Sequence, residues 1–176
     1  MKKGDDYKAN RDIPLILDSY GDIFSDFDPR PFSQKALSKD FLSECQKAST
    51  DKKDGIRLKF LIKKERRNIK NEEIIIKRIK DHFHKHLIEK RKELLKIKLI
   101  GLFWFIIGCF LIVFTTLFSS PDDIPLVKIL IAISHPAGWF FLWEGVGKVL
   151  IHSKEKKEEY IFHKKMDNAK ISFLSN

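Results

Sequence analysis

The chain has 176 residues, a formal charge of +10, 43% apolar side chains and only two cysteines. Two long apolar stretches take up so much of that length that no more than one small soluble domain fits beside them. Cys45 falls in the soluble part and Cys109 inside an apolar stretch, which excludes a disulfide framework and any paired-cysteine metal or redox motif.

The basicity is concentrated in one segment: residues 1–51 carry a net −2, 52–98 a net +11, 99–151 a net −1 and 152–176 a net +2. Residues 1–12 read as a loose polar terminus. Met1 to Asn10 has no apolar core, so no cleavable signal peptide is expected and an internal span must act as the targeting signal. Ile13 to Leu17 is a short apolar run whose Pro14 suits an edge strand. Asp18 to Phe32, DSYGDIFSDFDPRPF, combines turn residues with aromatics and reads as a long ordered loop. Phe24, Asp26, Phe27, Asp28, Arg30 and Phe32 make it a candidate interaction loop.

Ser38 can cap a helix over about Lys39 to Ala48, with Asp40 in its first turn and Leu37 and Leu42 as a hydrophobic staple. Ile56, Leu58, Phe60 and Ile62 alternate with Arg57, Lys59, Leu61 and Lys63, which predicts a half-buried strand. Its partner is either the Ile13 segment or the carboxy-terminal Ala169 to Leu174. From Asn71 the period becomes helical, with Ile76, Ile79, Phe83, Leu87, Leu94 and Ile97 on one face and no Gly or Pro before Lys98. That stalk runs straight into Leu99 to Phe118, twenty residues without a charge and long enough to cross a bilayer.

A second span, Ile124 to Ile151, is less clean, and Pro136 predicts a kink near Ser134 to Ala137. Lys92, Lys96 and Lys98 precede the first span, and Lys154, Lys156 and Lys157 follow the second. The connection Ser119 to Asp123 has acids and no Lys or Arg. By the positive-inside rule both termini are cytoplasmic, and these six lysines are expected to contact anionic lipid headgroups. A charged helix follows from Lys154 to Asn168.

Within the spans His135, Glu144 and Lys148 form a candidate polar site, since ionisable groups there tend to face a partner or water. The simpler reading pairs Glu144 with Lys148 one turn away and gives His135 to a backbone carbonyl at the kink. His82 and His86 are spaced to share a metal, with Asp81 and His84 beside them, but no third ligand is evident among so many cations. Asp18, Asp22, Asp26 and Asp28 lack the register of a calcium loop and read as turn and cap residues. No nucleotide-binding, catalytic or nucleic-acid motif occurs, so no enzyme activity, metal, cofactor or nucleic-acid partner is expected.

Two passages, IPLILDSYGDIFSDFDPRPFSQKALSKDFLSE and HPAGWFFLWEGVGKVL, resemble small prokaryotic membrane proteins with two adjacent spans and no assigned activity. The resemblance implies topology and a bacterial inner membrane, and nothing about chemistry. The expected fold class is a mainly α membrane protein: a transmembrane hairpin on a long cytosolic stalk, with a small α+β module of two or three strands. Its divisions are a module over 1–70, a stalk over 71–98, spans over 99–118 and 124–151 joined by a turn over 119–123, and a cytosolic helix and strand over 152–176. The expected function is a non-enzymatic, membrane-anchored interaction or scaffold protein, with the bilayer and a protein partner or second copy as its partners. The alternative is an oligomeric ion or proton channel or transporter using His135 and Glu144.

Overall fold

The computed structural model describes residues 11–52, 55–119 and 124–175. The expected loose terminus Met1 to Asn10 and the turn residues Ser120 to Asp123 lie outside the described residues. The chain divides into two compact units, residues 1–88 with 161–176, and residues 89–160.

The first unit is built on three parallel strands, β1 (Asp12–Ile16), β2 (Arg57–Ile62) and β3 (Lys170–Ser175), in the order β1-β2-β3. Both segments proposed as partners for the central strand pair with it, one on each side. Parallel neighbours cannot be joined by a tight turn and need a crossover. The first crossover contains α1 (Lys39–Thr50). The second contains three helices in succession, α2 (Ile69–Phe118), α3 (Pro125–Gly147) and α4 (Ser153–Asp167). The module is thus a β-α-β unit with a third parallel strand, where sequence reading expected an α+β arrangement.

The period-two pattern of β2 fixes which face is buried. Leu58, Phe60 and Ile62 are almost fully excluded from solvent. Register places Ile13 beside Leu58, and Leu15 and Phe173 on either side of Phe60, so apolar residues of all three strands share that face. Against it pack Phe41 and Cys45 of α1, Ile75, Ile79 and Phe83 of α2, and Met166 of α4. Ile75 leads the buried stripe of α2, where the periodicity predicted Ile76, which is only partly covered. Ser38 caps α1 as expected, its Oγ accepting from the Phe41 amide at 3.0 Å. The other end of α1 is closed from a distance: Lys165 Nζ donates to the carbonyls of Ser49 (3.2 Å) and Lys52 (2.6 Å).

α2 is one helix of 50 residues, without interruption at Lys98. Its latter part and α3 are both long and apolar enough to cross a membrane. In the second unit they pack antiparallel through four glycines. A Cβ on Gly108 would lie 2.4 Å from the Leu142 amide nitrogen, and one on Gly145 would lie 2.5 Å from that of Phe105. Gly101 and Gly138 complete the stripe, meeting Val149 and Ile112. Such close backbone approach replaces hydrophobic burial as the cohesive force between apolar helices in apolar surroundings. Trp104 stacks on Phe141 at 4.9 Å beside the stripe. Pro136, where a kink is expected, lies inside α3 with helix on both sides. A π-helical segment follows α3 over Lys148–His152.

The glycines give a direct test. Gly145→Ala should lower the thermal midpoint of the full chain in detergent by several degrees, because the new methyl group meets backbone that cannot yield. Gly147→Ala, where nothing lies within 4 Å, should leave the midpoint unchanged or raise it slightly. Circular dichroism melts of the two variants decide the point.

Candidate functional site

The aromatic loop folds locally before it packs. Ser19 and Asp22 form a capping box on a single 3-10 turn, Tyr20–Ile23, and Asp22 Oδ2 accepts from the amides of Asp18 (2.7 Å) and Ser19 (3.1 Å). Asp28 closes the next turn, accepting from the Ala36 amide at 2.7 Å and gripping the Arg30 guanidinium with both oxygens, at 2.9 and 2.8 Å. The Arg30 hydrogen bond and the Ala36 amide hold the Asp28 carboxyl well below the usual carboxylate range. Asp22 and Asp28 therefore spend their oxygens on the loop's own backbone and on Arg30.

This changes the candidate interaction loop. Phe24 is buried at 2% exposure and belongs to the core, and Phe32, partly buried, stacks on it at 5.2 Å. Phe27, at 98% exposure, is the aromatic of the set that faces outward, with Asp26 exposed beside it.

Behind the loop lies a partly buried polar cluster that sequence reading did not assemble. The Tyr20 hydroxyl donates to Glu72 Oε1 at 3.0 Å and accepts from the Asn68 amide at 2.8 Å. Glu72 takes a two-pronged contact from Arg67, at 2.9 Å on each oxygen, and Arg67 reaches Ser175 Oγ at 3.1 Å. The loop, the start of α2 and the end of β3 are joined here. Arg67 holds the Glu72 carboxyl below its ordinary value; burial opposes this and the Tyr20 hydroxyl adds to it.

The histidines are gathered differently from the expectation. His82 and His86 lie with ring centroids 4.4 Å apart, and His163 of α4 stacks on His86 at 5.6 Å. His84 points elsewhere, to Asp167 at 3.2 Å. Among the described residues no group of three or more His, Cys, Asp or Glu side chains is placed to hold a metal ion. Burial, with the positive charges of His86, Arg78, His163 and Lys85, lowers the His82 ring to about 4.

In the apolar hairpin Glu144 pairs with Lys148 one turn away. His135 does not meet a backbone carbonyl as expected; its Nδ1 lies 3.3 Å from Thr115 Oγ1 on the facing helix. Of the six lysines expected at headgroups, Lys156 is bound to Glu159 at 3.1 Å. The carboxylate of Glu159 also holds Lys90, at 2.8 Å. Elsewhere in the basic run, Arg66 donates to the Asp18 carbonyl, Arg78 to that of Lys35, and Arg57 and Lys59 both pair with Asp12. That part of the charge is structural.

His163, Lys165 and the four hairpin glycines were missed in the sequence. The glycines carried a legible signal, since Gly101 and Gly108, and Gly138 and Gly145, repeat at intervals of seven. Comparison with family models, with curated proteins and with solved structures finds no match for this chain.

Two pH effects follow and occupy different windows. A histidine whose folded value is depressed stabilises the fold above its unfolded value of 6.5 and loses that contribution as pH falls toward about 4. Unfolding midpoints should drop across this window, and His82→Gln should flatten the drop. For Glu72 the contribution is present above the ordinary 4.5 and is lost as pH falls below it, through the depressed folded value. Glu72→Gln should lower the unfolding midpoint near neutral pH, by weakening the hydrogen bonds that Arg67 and Tyr20 make to the carboxylate. Glu72→Gln should also weaken the acid dependence below 4.5 and leave the His82 window in place. Denaturant titrations of the full chain in detergent across both windows read all these outcomes.

Proposed function

We propose that this protein is a non-enzymatic, membrane-anchored interaction protein, in which the apolar helix pair crosses a bilayer as a hairpin and the sheet unit is displayed in the cytosol. One observation carries the reading: the helix pair is inserted between β2 and β3, which are paired neighbours running the same way. A chain that leaves the end of β2 must return to the start of β3 on the same side of any membrane it crosses. An even number of crossings is required, and two helices meet the length and hydropathy of a span.

Surface chemistry supports the same reading. Phe103, Ile106, Phe110, Leu117, Ile133, Phe140 and Trp143 are all left exposed along the pair, far more apolar surface than a soluble monomer leaves uncovered. The lysines flanking the pair and the acids of its connection fit a hairpin with both ends inside. The interaction half of the proposal is supported by the sheet. All-parallel sheets are normally covered on both faces, whereas here Pro14, Ile16, Ser172 and Leu174 on the second face are exposed and Leu61 between them is half-buried. Ile16, Leu61 and Leu174 share one register row and form an apolar strip across that face. The channel alternative has less support, because Glu144 is engaged by Lys148 and His135 by Thr115.

Topology is read by cysteine labelling in intact cells, in a Cys109→Ala background. Cys45 stays silent there, since it is fully buried and burial pushes its thiol up to about 12. A membrane-impermeant maleimide should label Ser119→Cys directly and Asn168→Cys only after permeabilisation. Labelling of both from the same side would defeat the hairpin. A photo-crosslinking amino acid at Leu174 should give a discrete adduct that the same group at exposed Asp40 does not; equal adducts, or none, would remove the interaction reading.

A further inference from the structure

The lysines around the base of the helix pair divide into two classes. Lys90, Lys148 and Lys156 are each neutralised: Lys90 by Glu93 and Glu159, Lys148 by Glu144, and Lys156 by Glu159. Lys98, Lys154 and Lys157 are not, and no described carboxylate pairs with any of them. These three line one groove of about 580 Å³ together with Leu102, Val149, Leu150 and Ser153. No acid lines it. All three are exposed to solvent, and with no described carboxylate paired to them they are available to an anion from outside the chain.

The groove also has a direction. Leu102 and Leu150 are 50% and 65% exposed and lie on the apolar side, where α2 and α3 carry their uncharged stretches. Ser153 is 8% exposed and turns its hydroxyl inward, donating to the Val149 carbonyl, so it offers no competing donor. The π-helical segment Lys148–His152 lies between α3 and α4, and Val149 and Leu150 of the groove belong to it. A site that sets three cations beside the apolar side chains of Leu102, Val149 and Leu150 matches a molecule that is anionic at one end and hydrocarbon along its length.

We propose that this groove is a defined binding site for one anionic phospholipid, with the headgroup phosphate held by Lys98, Lys154 and Lys157 and an acyl chain laid along Leu102 and Leu150. The site rests on the reading that the helix pair spans a bilayer, and goes beyond it by separating these three lysines from the general basicity of the stalk. Lys92 and Lys96, which have no carboxylate partner among the described residues but lie outside the groove, attract the leaflet without selecting a lipid.

The full chain is reconstituted in phosphatidylcholine vesicles holding a minority of phosphatidylglycerol, and the lipids retained on the protein are read by native mass spectrometry. Phosphatidylglycerol should be enriched over its bulk fraction. Each of Lys98→Gln, Lys154→Gln and Lys157→Gln should weaken retention by about fivefold, and the triple variant should abolish the enrichment. The paired control Lys92→Gln with Lys96→Gln should keep it. Enrichment that survives the triple variant, or that the control loses equally, overturns the site. So does full displacement of the lipid by excess inorganic phosphate, which would make it a site for soluble anions. Resistance of the vesicle-bound protein to carbonate extraction is measured in parallel. Protein that is extracted defeats the spanning reading and the site together, whereas protein that stays inserted without enrichment defeats the site alone.

Discussion

In a parallel sheet every strand must begin again at the same end, so the hydrogen bonds between β2 and β3 form only after the chain has completed its excursion through α2, α3 and α4. The entropic cost of closing so long a loop grows slowly with its length. Here much of it is offset, because the intervening chain is nearly all helical and its return is fixed by helix contacts of its own. The pairing has a topological consequence: whatever the apolar pair passes through, it passes through twice.

The sheet unit depends next on how it handles buried polarity. Tyr20 and Glu72 bond each other away from solvent, and part-exposed Arg67, the main chain of Asn68 and the hydroxyl of Ser175 complete the network. Networks of this kind specify a single packing because any one missing member leaves its partners desolvated and unpaired. The cluster holds the aromatic loop against the start of α2. In consequence Tyr20, Phe24 and Phe32 are structural residues, and what the loop presents outward is reduced to Phe27 and its polar neighbours.

The helix pair is held by opposite means. If the pair spans a bilayer, as proposed, little apolar burial is gained by bringing the two helices together, and contact depends on how closely their backbones approach. Four glycines permit that approach, in a register where Gly101 faces Gly145 and Gly108 faces Gly138. Charge is handled with similar economy at the base of the pair. Glutamates neutralise the lysines that lie within their reach and leave a separate group around an apolar groove.

Local pattern by itself determined much of this protein. The charge-free run from Leu99 to Phe118, the Ser38 cap, the alternation of β2 and the helical period entering α2 are each set by neighbours a few residues apart, and each appears in the structure within a few residues of its expected bounds. The Glu144–Lys148 pair was legible for the same reason, being one helical turn. What the tertiary structure decided is every feature that joins distant residues. Nothing in the alternation of β2 tells whether its neighbours run parallel or antiparallel, and that choice turned an expected α+β module into a β-α-β unit with an inserted hairpin. Nothing in an aromatic loop tells which rings turn inward, so Phe24 and Phe32 were indistinguishable from Phe27. His163 and Lys165 lie about 80 and 110 residues from the groups they meet, and Lys98 lies more than 50 from Lys154. Sequence spacing encodes contacts made within a helix or strand, and the pairing of elements far apart in the chain depends on packing that only the folded molecule supplies.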